Sequence, residues 1–351
     1  MPTTDLRLDV LMHLSNLPGV PGQEDAVRDF VLGELDGLVD EVRVDALGNV
    51  IARRAAREAA AGETVERVMV SAHMDEIGFL VRYIDEQGYL RVQALGGFDP
   101  RNLFARTVTV HARGGTLPGI LTPGGRPVHV STPEERKAIP EVRDFVVDLG
   151  LDVAEVRRRV RVGDMVTLDQ AARQVGALVC GKAMDDRASV FVLLETLRQF
   201  AEQRPRHDIL AVFSVQEEVG LRGAGVAAYG AQPTIGIGLD VTLAVDTPGA
   251  RPDEAVTRVG GGIGIKVFDS SMISTRWLVD HFADLAEAQG IPAQLEVLAQ
   301  GGTDGAAIQR SRAGVPSVTL SVPTRYIHTV VEAVHVDDLR AGVDLLCAYL
   351  R

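Results

Sequence analysis

Two adjacent glutamates, Glu217 and Glu218, follow the apolar run Ile209-Leu210-Ala211-Val212-Phe213. Similar runs end in, or just before, His73, Asp240 and His328, and Met184-Asp185-Asp186-Arg187 opens a helical pattern. Imidazoles and carboxylates at these five places form a ligand set suited to two divalent cations, Zn²⁺ or Co²⁺ first and Mn²⁺ as the alternative. Two such cations exceed by one unit the combined charge of Asp185, Glu218 and Asp240, which matches one bridging hydroxide. A metal pair lowers the pKa of water, polarises a carbonyl and steadies a tetrahedral oxyanion. Neighbouring side chains of an extended segment point in opposite directions, so one glutamate can ligate while the other faces a bound water. Glu217, left free, would take the water proton and pass it to a leaving amine.

Each residue also has a plainer reading. His73 is followed two positions on by Asp75, a spacing that puts both on one side of an extended segment. A metal-bound imidazole commonly has its second nitrogen anchored by a carboxylate, but a His–Asp pair also occurs on ordinary surfaces. Asp185 and Asp186 precede the stripe Val190, Leu193, Leu194, Leu197, where acidic residues cap helices, and only one of the two need be functional. Asp240 alone is a common turn former. The other histidines, His13, His111, His129, His207, His281 and His335, read as surface residues.

The elements that must position these groups fall into two textures. Helical spacing covers 5–17 and 23–35, and a hairpin is expected around Leu47-Gly48. Val68 to Ala72 is a buried strand that delivers His73. From about 76 to 175 come short alternating strands (79–83, 90–94, 107–110, 165–168) separated by Gly and Pro turns, the mark of a small β-rich unit. From 185 onward strands at 208–215, 234–240, 263–268, 293–298 and 316–322 alternate with helices at 187–203, 222–229, 274–289, 303–313 and 336–350. That alternation predicts an α/β fold, a sheet with helices on both faces. The expected organisation is a discontinuous α/β domain, 1–75 plus 176–351, interrupted by a β-rich domain at 76–175. In open α/β sheets ligands bind beyond the carboxyl ends of strands, where His73, Glu217, Glu218 and Asp240 stand.

Composition sets the outer bounds. The chain has 351 residues, 46% hydrophobic, with a formal net charge of −12, an acidic balance that argues against a nucleic-acid partner. No run is long and apolar enough for a membrane span. The opening Met-Pro-Thr-Thr-Asp-Leu-Arg lacks the apolar core of a leader. Cys180 and Cys347 sit in no paired pattern, so a reducing, cytoplasmic setting is expected.

The strings HMDEIGF (73–79), GKAMDDR (181–187), VQEEVGLRGA (215–224), GLDVT (238–242), GGTDG (301–305) and RYIHT (325–329) resemble the M42 family of dinuclear metallo-aminopeptidases. They run in family order over nearly the whole chain. The resemblance implies a mixed-sheet zinc-peptidase catalytic domain interrupted by a PDZ-like dimerisation domain. It implies one metal on His73 and Asp240, the other on Glu218 and His328, and Asp185 bridging. It gives Glu217 the general-base role through a two-metal-bound water, makes Asp75 the residue that orients His73, and suggests a cis peptide between Asp185 and Asp186. The implied activity is removal of the N-terminal residue from short peptides. The implied partners are peptide substrates and further copies of the chain, as a dimer and a homododecamer. The chain departs from the family at Val259-Gly260-Gly261-Gly262-Ile263-Gly264, where relatives commonly carry a Gly-Lys-Gly-Pro-like turn. Three other readings compete, the nearest within hydrolases being a metal-dependent deacylase or carboxypeptidase. A glycosidase using paired carboxylates needs neither His73 nor His328, and it favours aromatic platforms that a chain with one Trp and 5% aromatics lacks. A non-catalytic peptide-binding protein has no use for Glu217.

Overall fold

The computed structural model describes residues 5–351, so the first four residues of the opening stretch lie outside it. The chain begins α1 (Leu8–Asn16), α2 (Asp25–Glu34), β1 (Glu41–Val44), β2 (Val50–Arg54), β3 (Arg67–His73). It continues β4 (Gly78–Ile84), β5 (Leu90–Leu95), β6 (Arg106–Ala112), β7 (Gly115–Pro123), α3 (Pro133–Lys137), β8 (Phe145–Asp148), α4 (Val153–Arg159), β9 (Met165–Leu168). Then follow β10 (Arg173–Val175), β11 (Leu178–Gly181), α5 (Met184–Gln199), β12 (Asp208–Ser214), α6 (Arg222–Ala231), β13 (Ile235–Leu243) and β14 (Ile263–Phe268). The last elements are α7 (Arg276–Gln289), β15 (Ala293–Val297), α8 (Asp304–Gln309), β16 (Ser317–Arg325), β17 (Glu332–His335) and α9 (Val336–Leu350).

The strands form two bodies, as expected of a mixed α/β fold. An 11-stranded sheet runs β1-β2-β12-β3-β13-β16-β17-β11-β10, with β14 between β16 and β15 off that path. Its central strands β12, β3, β13 and β16 are parallel, and their register sets Ser214 beside His73 and Asp240 beside Ser321. Strands β4-β5-β8-β7-β6-β9 close into a separate barrel. The central strands are apolar on both sides, as strands covered on both faces must be. Val68, Val70 and Ala72 of β3 face the core with α5, α7 and α9, whereas Met69 faces a second cluster with Ala224, Ala227, Ala228 and Ile308 of α6 and α8. In α5, Phe191, Leu193, Leu194 and Leu197 are fully buried, and each such side chain contributes roughly 1.5–3 kcal/mol. Among the described residues no helix is long and apolar enough to cross a membrane.

Several boundaries differ from those expected. Helix α8 covers only Asp304–Gln309, and α5 starts at Met184 through a non-helical Asp185 and Asp186. Strands β7, β8, β10, β11 and β17 were not anticipated. Pro118 and Gly119 obscure β7, although its alternate residues Leu117, Gly119 and Leu121 point inward.

Two glycines of β13 set the height of α8 above the sheet. A Cβ on Gly236 would meet Ile308 Cγ2 at 2.5 Å, and one on Gly238 would lie 2.8 Å from the Gly305 nitrogen. Because the Gly305 contact is backbone, it cannot be relieved by a side-chain rotation. Gly238→Ala is therefore expected to lift α8 and destabilise the protein by about 1–3 kcal/mol, the usual cost of overpacking. The check is a lower urea midpoint at unchanged slope; an unchanged midpoint would contradict it.

Candidate active site

The carboxyl ends of β3, β12 and β13, the start of α5 and the loop after β16 converge on one cavity. His73 closes β3, and Asp240 lies on β13. Glu217 and Glu218 follow β12, and His328 follows β16. The turn carrying the glutamates is tight: Gln216 has φ +58° and Leu221 +56°. His328 likewise has φ +61°, and the Asp185–Asp186 peptide is cis.

Asp185 is the geometric centre. Its Oδ1 lies 3.1 Å from His73 Nε2, and its Oδ2 lies 3.3 Å from His328 Nε2. Glu218 Oε1 is 3.4 Å from the same His328 nitrogen, and Glu217 Oε2 is 3.9 Å from His73 Nε2. Ligand-capable atoms of His73, Glu217 and Asp240 lie within 4.8 Å of one another, as do those of His73, Asp185 and Glu218 and those of Asp185, Asp186 and Asp240. All the residues expected at the site are thus brought together, and the two aspartates separate by direction. Asp185 faces the histidines, whereas Asp186 Oδ2 accepts the His73 backbone N–H at 3.1 Å.

Asp75 is fully buried and holds more than one partner. Its carboxylate accepts the backbone N–H groups of Glu217 and Glu218 at 3.0 and 3.1 Å. His73 Nδ1 lies 3.5 Å from that carboxylate, but only 3.0 Å from Asp75's own carbonyl oxygen. Two further carboxylates support the site, and motif reading gave neither a role. Glu332 accepts the N–H of His328 at 2.7 Å and of Asp185 at 2.9 Å, fixing two site residues at once. Asp304 accepts hydroxyls of Ser71 and Ser214, tying the ends of β3 and β12 together beneath His73. Thr303 Oγ1 pairs with Thr319 Oγ1 at 2.8 Å. Glu332 stands four residues past His328, and that spacing was the only signal for it in the sequence.

The electrostatics follow from this crowding. Desolvation lowers the His73 imidazole, yet Glu217, Asp185 and Asp75 carry it well above its ordinary value. His328, also desolvated, is pushed up to about 11 by Asp185 and Glu218. Burial and neighbouring carboxylates push Glu217, Asp240 and Asp186 well above the carboxylate range. Burial, with Asp185 nearby, takes Glu332 up to about 8. Asp185 goes the other way: burial raises it, but its two histidine partners hold it low.

The remaining histidines lie away from the cluster, though not all on the surface. His207, just before β12, is buried, with Nδ1 3.3 Å from the backbone nitrogen of Glu66 at the entry to β3 and its ring 6.1 Å from that of Tyr349. His111 and His335 are half-buried, and His111 Nε2 lies 2.9 Å from Thr167 Oγ1. His13, His129 and His281 are exposed. Both cysteines are free.

Solved structures match this architecture closely. A TET aminopeptidase from a marine sediment archaeon of the Thaumarchaeota superposes with a TM-score of 0.92 at 34% identity, over 98% of this chain and 95% of that one. The TET1 peptidase of Pyrococcus horikoshii, which can assemble into a tetrahedron or a large octahedral shell, gives 0.86 at 30% identity over 98% of both chains. Fold and site together define a hydrolase of the aminopeptidase class. The pattern of the M42 glutamyl aminopeptidase family matches residues 48–345. A lysyl aminopeptidase from Pyrococcus furiosus is 33% identical over 97% of this chain and 96% of its own length. The chain belongs to the M42 family.

Proposed function

We propose that the protein is a dinuclear metallo-aminopeptidase that hydrolyses the N-terminal peptide bond of short peptides. The observation that carries this reading is Asp185, with one carboxylate oxygen toward each of two histidines inside a cavity lined by Glu217, Glu218 and Asp240. The donor set fits divalent cations. Glu218 Oε1 and Asp240 Oδ2 are buried oxygens without a hydrogen-bond partner, and the surrounding imidazole and carboxylate groups suit zinc or cobalt, with manganese as the alternative.

His73 and Asp240 would hold one cation, Glu218 and His328 the other, and Asp185 would serve both. Bound there, the pair would acidify a water and polarise the scissile carbonyl. Glu217 accepts the water's proton at its carboxylate as the water oxygen bonds to the carbonyl carbon. It then returns that proton to the amine nitrogen as the C–N bond breaks. Asp75 holds the backbone of Glu217 and Glu218 so that both carboxylates keep their aim. Glu332 and Asp186 do the same for Asp185, His328 and His73.

The division into a catalytic domain, 1–75 plus 176–351, and a PDZ-like dimerisation domain, 76–175, is part of the same proposal. All six barrel strands fall within 78–168, and the barrel side carries exposed apolar residues at Val128, Val130 and Ile139. A partner copy covering them would give a dimer, and dimers would build a homododecamer around cytoplasmic peptides. Light scattering tests the assembly, and a stable monomer would count against it. Activity is tested with aminoacyl-anilides in the presence of Zn²⁺, Co²⁺ or Mn²⁺; inactivity toward every one, at full metal loading, would overturn the reading.

The protonation directions add a prediction. His73 and His328 bind protons tightly, whereas ligands must be deprotonated. Cation uptake is expected to release protons, and affinity to weaken as pH falls. Titration calorimetry in buffers of different ionisation enthalpy reads the number released. Binding heats independent of buffer would contradict it.

A further inference from the structure

The cavity, about 540 Å³, extends past the cluster into a region that the proposed chemistry does not use. Its lining there is mostly Leu221, Leu243, Leu298 and the two glycines Gly301 and Gly302, with Gln300 and Thr303 as polar members. Lys266, on β14, also lines it and is fully buried. A buried ammonium beside an apolar cavity is unfavourable unless paired. Its partner is Glu296, directly across in the β14–β15 register and 1% exposed. Lys266 Nζ lies 2.6 Å from Glu296 Oε1, and the Ser321 hydroxyl donates to that same oxygen at 2.8 Å. Glu296 does not itself line the cavity. The cavity thus borders a cation whose charge is already cancelled from behind.

We infer that this cavity receives the side chain of the substrate's N-terminal residue and selects uncharged aliphatic ones, with Glu296 cancelling the charge that Lys266 would otherwise offer an acidic residue. The inference rests on the aminopeptidase reading of the same site and names its substrate class. A leucine-like side chain meets the three leucines and the space beside two glycines. An N-terminal glutamate loses its hydration and finds an ammonium already paired. An N-terminal lysine meets a like charge, and the carboxylate that could pair with it is engaged from the far side. Family membership does not settle this choice, since the family is described by glutamyl substrates and the P. furiosus relative by lysyl ones.

The test uses the full chain loaded with zinc or cobalt and leucyl-, methionyl-, glutamyl- and lysyl-4-nitroanilides. Leucyl and methionyl substrates are expected to exceed the charged ones in kcat/KM by on the order of a hundredfold, the scale set by burying an unpaired charge. Glu296→Gln uncovers Lys266 and is expected to raise the glutamyl-to-leucyl ratio at least about tenfold. Thermal shifts with free L-leucine and L-glutamate give a reading independent of turnover: L-leucine should stabilise the unaltered protein more, and L-glutamate should gain in the variant. The double variant Lys266→Met/Glu296→Leu removes both charges and serves if the single variant does not fold; it is expected to keep the aliphatic preference. An active enzyme that prefers glutamyl or lysyl substrates overturns the inference. So does a folded Glu296→Gln variant with no glutamyl gain, or a double variant that turns to charged substrates. Inactivity toward all four would instead overturn the aminopeptidase reading, and this inference with it.

Discussion

Glu217→Gln is expected to keep both metals and lose about 10²–10⁴-fold in kcat, the usual range for removing a general base. The substitution keeps size and shape. The backbone N–H of residue 217 stays on Asp75, so the turn that also carries Glu218 keeps its place. What changes is proton affinity, because an amide cannot accept the proton that water must give up. Elemental analysis should find the metal content of the unaltered protein. Near-normal turnover in a metal-replete variant would remove Glu217 from the mechanism.

Asp185→Ala should fail differently, losing metal and activity together. Each Asp185 oxygen faces a different histidine, at 3.1 and 3.3 Å, so the carboxylate reaches both halves of the cluster. Without it, two cations would oppose each other with no charge between them. Activity should fall at least as far as in Glu217→Gln, and added zinc or cobalt should restore little of it. Full two-metal occupancy by elemental analysis would contradict the bridging role. The two variants separate chemistry from binding, since the first loses turnover alone.

What the sequence made legible follows from how local each signal is. Strands β3, β12, β13 and β16 announce themselves as apolar runs, and a reactive residue at each end is visible without a partner. Helices α7 and α9 show apolar residues at helical spacing, and α5 shows the same spacing at Val190, Leu193, Leu194 and Leu197 although Met184 to Leu197 is buried throughout. Strand β7 was hidden because Pro118 and Gly119 break its propensity while its inward alternation survives. Support for the site was harder to see, because it depends on distant neighbours. Asp304 finds its hydroxyl at Ser71 across 233 positions, and Glu332 acts on backbone N–H groups that any residue could supply. Lys266 is legible only through Glu296, which the parallel β14–β15 register sets across from it. His207 was misjudged for the same reason: its buried ring lies 6.1 Å from that of Tyr349, a residue of the last helix, and its Nδ1 meets the Glu66 N–H.

The order of the strands also has a bearing on when this protease comes alive. β3, which ends in His73, sits between β12 and β13, neither of which exists until well over a hundred further residues have been made. His328 and Glu332 arrive later still. A growing chain therefore carries its first site histidine through most of its synthesis with no scissors assembled around it. Prematurely ended chains that stop short of His328 would have no complete site with which to trim their neighbours. Folding itself acts as the safety catch.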